Sequence, residues 1–257
     1  MNRFFLGLAI EAPWPEEWPE GREIKEKHAT LLFFRTQKFS QDLLFRMPLP
    51  SFPIGPIGTF DTPLFLPEKS PRAFAWHISW EKEEISHYQK TANLWWQKEG
   101  VHLDEREWLP HVTLARAPLQ IDQWQTLPLP LPCFAKALHL YESLGESTYR
   151  ILWSHFFVPP FKEIEHTADL AFHVYGRNFQ ELFCNALWAL SFQEPLLLQW
   201  KSPLSSLSSI EDVIRALNAL FLQADISGSL PYKAVTHHGE VHKSLHHLLE
   251  WEMIIDV

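Results

Sequence analysis

The chain has 257 residues, 46% of them hydrophobic, with 12 Trp and a formal charge of −9. This length holds one large domain or two small ones, and the apolar content excludes a disordered chain. No apolar run reaches the ~18 residues that cross a bilayer, and the acidic balance argues against a protein that grips long stretches of nucleic-acid backbone.

The negative charge is uneven. Up to Pro159 there are 16 Lys and Arg against 19 Asp and Glu, and beyond it 6 against 12. Such a balance still suits an enzyme that handles one terminal phosphate in a cleft. The two cysteines, Cys133 and Cys184, make neither a disulfide framework nor a thiolate metal site.

Taken in order, Met1–Ile10 is short and apolar, and is followed by Glu11 and Trp-Pro-Glu-Glu rather than by a small-residue cleavage site. It reads as the first strand of a cytoplasmic protein. Pro13, Pro15 and Pro19 exclude a helix before about residue 20. A strand follows over residues 28–35. Residues 40–72 are loop-rich around a strand at Thr59–Phe65, and Ala73–Trp80 reads as a buried strand. Helical spacing from Ile85 to Glu99 ends at Gly100, a suitable residue just past a helix. Strands are expected at His111–Ala115, Leu138–Ser143 and Tyr149–Val158. Val158-Pro159-Pro160-Phe161 is a hinge, dividing domains 1–158 and 159–257.

Beyond the hinge, Leu170–Tyr175 reads as a strand. Asn178 caps a helix to Leu190, and Ser209 caps another to about Leu222, after a Ser-rich loop. Lys233–Thr236 and Met253–Val257 close the chain as strands. His238, His242 and His246 have helical spacing, but the strand expected at 234–238 and Gly239 make them a solvated cluster rather than a zinc site.

Two segments carry the chemistry: His28-Ala29-Thr30-Leu31 and His111-Val112-Thr113-Leu114. Side chains alternate along a strand, so His and Thr two apart share a face while Ala29 and Val112 point into the core. Two such strands side by side set two imidazoles and two hydroxyls around one small cavity. That suits in-line attack on a phosphodiester, with one His taking a proton, the other giving one, and the hydroxyls holding the non-bridging oxygens. Arg116 is a further candidate for substrate binding. Its parity is opposite to that of His111 and Thr113, so it faces away unless the strand bulges.

In order, Arg3–Ile10, His28-Ala29-Thr30-Leu31, the Trp76 strand, Pro110-His111-Val112-Thr113-Leu114-Ala115-Arg116, Leu140-Tyr141-Glu142-Ser143 and Tyr149 resemble the two-histidine phosphoesterases. That group includes the 2′,5′-RNA ligase-like RNA 2′,3′-cyclic phosphodiesterases, and the resemblance covers about residues 1–158. A lone His-x-Ser/Thr means little, since His77-Ile78-Ser79 and His242-Lys243-Ser244 also match. The resemblance implies hydrolysis of RNA 2′,3′-cyclic phosphate ends to a 2′-phosphate, without a metal. His28 is assigned as general acid and His111 as general base, the sequence leaving open which is which. The connection before the first motif is shorter than in the family and lacks its helix.

Glu165-His166-Thr167-Ala168-Asp169, Tyr175-Gly176-Arg177, Glu181-Leu182-Phe183, Tyr232-Lys233-Ala234-Val235-Thr236 and Ile254-Ile255-Asp256-Val257 resemble archease, the activator of the tRNA-splicing RNA ligase, in a shortened form. The resemblance implies Asp169, Asp256 and the Val257 carboxylate as ligands of Ca²⁺ or Mg²⁺, hard cations that prefer oxygen, with Lys233 beside them. The expectation is therefore two α+β domains: a bilobal two-histidine phosphoesterase and an archease-like sandwich. Together they would act in RNA repair or tRNA processing, with RNA ends and a tRNA-splicing RNA ligase as partners and no membrane. The alternative is a non-catalytic activator of that ligase whose first domain only binds RNA ends.

Overall fold

The structure, a computed structural model, describes residues 3–35, 41–165, 170–200, 206–226, 231–237, 241–243 and 247–256. The fold is α+β. The chain divides into two compact units, one of residues 1–129 and 133–157, the other of residues 130–132 and 158–257.

The first unit contains β1 (Arg3–Glu11), β2 (Gly21–Glu23), β3 (His28–Phe34), α1 (Gln41–Arg46), β4 (Ile57–Leu66) and β5 (Ala73–Trp80). These are followed by α2 (Glu84–Lys98), β6 (His111–Leu119), α3 (Ile121–Gln125), β7 (Leu131–Gly145) and β8 (Thr148–Phe156). Hydrogen-bonded neighbours run β1-β3-β6-β5-β4-β7, and β7 pairs again with β1, so the path closes on itself. Closure leaves these strands with fewer bare edges to blunt.

One row of side chains crosses the strands beneath the motifs. Leu138 lies opposite Leu8, Leu8 opposite Ala29, Ala29 opposite Val112, and Val112 opposite Trp76. All five are fully buried. The apolar residue inside each His-x-Thr is thus a core residue, and its burial fixes the register, because a one-residue slip would put His and Thr into the core.

The proline-rich connection after β1 takes the place of a helix, and aromatic packing holds it. Trp14 stacks on Trp76 with ring centroids 6.2 Å apart, and Trp18 stacks on Trp124 at 5.9 Å. The indole of Trp124 also donates to the Glu20 carbonyl at 3.0 Å. The Lys27 ammonium lies 4.8 Å from the Trp18 ring, a cation–π contact. Helix α2 ends as its sequence indicates: Gly100 has φ +77, and its N–H donates to the Gln97 carbonyl.

The second unit has β9 (Phe161–Ile164), β10 (Leu170–Gly176), α4 (Phe179–Gln193), a 3₁₀ turn at Pro195–Trp200, α5 (Ile210–Ile226), β11 (Ala234–His237), β12 (His242–Lys243) and β13 (Leu249–Asp256). Its sheet runs β11-β13-β10-β9, with β12 also on β13. Asn178 Oδ1 accepts from Glu181 N–H at 2.9 Å, which caps α4. Ser209 Oγ accepts from Asp212 N–H at 3.2 Å at the start of α5. Asn218 clasps β11 from α5, accepting from Val235 N–H at 2.7 Å and donating to the Val235 carbonyl at 3.1 Å. Gly176 is required where β10 meets α4, since a Cβ there would lie 2.6 Å from the Leu182 nitrogen.

Several elements are absent from the sequence expectation: β2, α1, α3, β9, β12 and the 3₁₀ turn. All are short, from two to six residues, and carry too few positions to show a period. β7 starts seven residues before the expected Leu138, and β13 four before Met253. The early part of β7 is buried on both faces and so lacks polar alternation, whereas Leu249-Glu250-Trp251-Glu252 of β13 does alternate.

Candidate active site

β3 and β6 are antiparallel neighbours with Ala29 opposite Val112. Carried one residue each way, that register puts His28 beside Thr113 and Thr30 beside His111 on the face away from the core. Each histidine is thereby set next to the threonine of the other motif. All four side chains are partly exposed.

The two imidazoles are held alike. His28 Nδ1 is 2.7 Å from the Glu26 carbonyl, and His111 Nδ1 is 2.7 Å from the Leu109 carbonyl, each two residues upstream. A carbonyl only accepts, so Nδ1 carries the hydrogen and Nε2 carries the lone pair in the neutral ring. The indole of Trp108 fixes β3 between them by donating to the Thr30 carbonyl at 3.0 Å.

His28 is packed among rings: Phe5 at 4.8 Å, Tyr141 at 5.2 Å and Tyr149, edge-on, at 4.9 Å. Loss of water there lowers its pKa from 6.5 to about 4, with the charges of His111 and Arg116 adding to the effect and the Glu26 carbonyl opposing it. Burial also lowers the His111 pKa, the Leu109 carbonyl opposes it, and the charges of His77, Arg106 and Arg116 lower it further. Both rings are neutral at neutral pH when the site is free.

Arg116 joins this face. Opposite β5, Ala75 pairs with Thr113 but Phe74 pairs with Ala115, so Leu114 is an extra residue in β6. The bulge buries both Leu114 and Ala115 and reverses the parity beyond them. Arg116 then falls on the same side as Thr113, and its charge reaches both imidazoles.

Sequence reasoning passed over one further group. His77 on β5 lies directly opposite His111, and its Nδ1 is 2.8 Å from Asp61 Oδ1. Asp61 reaches it because β4 carries an extra residue between Phe60 and Thr62. The available signal was His77-Ile78-Ser79, a third His-x-Ser/Thr, which only the strand order makes meaningful.

In the second unit, Asp169 and Val257 lie outside the described residues, as do His238 and His246. Asp256 ends β13, where its carboxylate is 3.8 Å from the Lys233 ammonium. The Lys233 N–H donates to the Asp256 carbonyl at 2.8 Å. Among the described residues no three His, Cys, Asp or Glu side chains converge as a metal site. Of the three ligands expected for Ca²⁺ or Mg²⁺, Asp256 is the one that falls within the described residues. His242 is an exposed strand residue.

Residues 161–192 match the archease protein family (MTH1598/TM1083). The archease match spans β9, β10 and most of α4. Solved structures similar to the chain include E. coli LigT in apo form and complexed with 3′-AMP, each at 16% identity over 61% of this chain and 98% of that chain, with a TM-score of 0.43. TT0787 of Thermus thermophilus is similar at 16% identity over 60% of this chain and 97% of that one, with a TM-score of 0.41. No curated protein matches the chain. Among the described residues no helix is long and apolar enough to cross a membrane.

Proposed function

We propose that the first unit hydrolyses the 2′,3′-cyclic phosphate ends of RNA. The observation that carries this reading is the identical tethering of His28 and His111, which presents two Nε2 atoms on one face beside two threonine hydroxyls. Neither hydroxyl is engaged by another protein group among the described residues.

Burial favours the roles opposite to the sequence assignment. His28, with its pKa near 4, is the neutral ring and takes the proton from the attacking water. His111 is less depressed, and the negative charge of a bound phosphate raises its pKa, so it holds the proton to be given. Water oxygen bonds to phosphorus, the bond from phosphorus to the 3′-oxygen breaks, and His111 protonates that oxygen, which leaves a 2′-phosphate. Thr30 and Thr113 hold the non-bridging oxygens as charge shifts onto them.

For the second unit, the match of residues 161–192 to the archease family supports a role in RNA repair or tRNA processing beside a tRNA-splicing RNA ligase. The test is turnover of a 2′,3′-cyclic mononucleotide by the full chain with EDTA present, followed by ³¹P NMR. A 2′-phosphate product supports the reading. No turnover, or a strict metal requirement, overturns it.

A further inference from the structure

Two arginines face each other at the end of the site. β2 pairs with β6 so that Arg22 lies directly opposite Arg116, and Ile24 N–H, donating to the Leu114 carbonyl at 2.8 Å, anchors the pairing at the bulge. Directly opposed residues of an antiparallel pair share a face, and like charges there are destabilising. Nearby carboxylates do not relieve the repulsion. Glu23 faces the other way and holds Lys27 at 2.7 Å, while Glu20 accepts from Gln120 at 2.6 Å. Neither Arg22 nor Arg116 has a salt bridge among the described residues. In a chain of charge −9, the pair is a local concentration of positive charge.

Position says which anion. From Thr113 to Arg116 is two ladder steps past the bulge, roughly 7 Å along the strand. That is about the reach from one phosphate of a nucleic-acid strand to the next. We propose that Arg22, with Arg116, binds a second phosphate, the backbone phosphate on the 5′ side of the terminal nucleotide. The preferred substrate is then the end of an RNA strand rather than a lone cyclic nucleotide. Guanidinium groups suit this because they hold phosphate oxygens with paired, directional N–H donors. The inference rests on the phosphodiesterase reading for the identity of the first phosphate, but the second site is measurable by binding alone.

The test compares a nucleoside 2′-phosphate with the matching nucleoside 2′,5′-bisphosphate, by calorimetry at low salt with the full chain. The wild-type protein binds the bisphosphate about tenfold more tightly. In Arg22→Ala that ratio falls to about one, and in Arg22→Lys it falls part of the way. Arg46→Ala, which removes a charge from α1 where Arg46 pairs with Glu99, keeps the ratio. An unchanged ratio in Arg22→Ala overturns the proposal, and so does equal weakening of both ligands. A preserved wild-type ratio in a protein that does not hydrolyse cyclic phosphates supports the second site and overturns the reaction instead.

Discussion

Ala29 faces Val112 across β3 and β6, and that contact between two buried side chains builds the candidate site. It locks the only register in which His28 meets Thr113 and Thr30 meets His111. Four polar groups are aligned by two apolar ones, at the place where two segments far apart in sequence become neighbours.

Removing either imidazole should slow turnover of a cyclic phosphate by about 10²–10⁴. His28→Ala combined with His111→Ala should lose far less than the product of the two, because acid and base act as a unit. Steady-state kinetics on the three variants checks this, and a double variant of normal activity would sink the mechanism.

The pH profile of kcat/KM should be bell-shaped and displaced to acid. His28 must be neutral, so activity rises as pH passes about 4. His111 must be protonated, so activity falls as pH passes its own pKa, which burial holds below 6.5. Proton NMR titration of the two ring C–H signals assigns the limbs, and a reversed order would exchange the roles of the two histidines.

His77→Ala should keep kcat within a few-fold and move the alkaline limb upward. The charge of His77 lowers the His111 pKa, so its loss lets that pKa rise toward its ordinary value. An unmoved limb would mean that the Asp61–His77 pair is structural.

Stability should also depend on His28. Its folded pKa is depressed from 6.5 to about 4, so below pH 6.5 the unfolded chain takes up a proton that the folded chain refuses. Stability falls across that window by on the order of 3 kcal/mol and is unaffected above it. Urea unfolding of wild-type protein and His28→Asn between pH 4 and pH 7 measures it. The variant should show a shallower loss.

Asn218→Leu should destabilise the second unit by about 1–3 kcal/mol, since it strands both backbone groups of Val235. Thermal unfolding reads this, and a change under about 0.5 kcal/mol would show that water replaces the clasp.

What the sequence determined by itself was local. A His-x-Thr with an apolar middle residue, once in a strand, sets its polar pair on one face and the apolar residue on the other, and Asn178 and Gly100 mark helix ends, the one through its side-chain oxygen and the other through its backbone freedom. Tertiary structure decided the rest, because it depends on which strands become neighbours. Nothing near Arg116 in sequence announces the extra residue at Leu114, which appears only when β6 is laid against β5 and which turns that guanidinium toward the histidines. His77 has no standing as a lone motif until β5 sets it opposite His111 and a second bulge brings Asp61 to it. Arg22 meets Arg116 across 94 residues of chain. Side-chain alternation is written into neighbouring residues, whereas pairing between distant strands and the bulges that adjust it are settled by how buried surfaces fit.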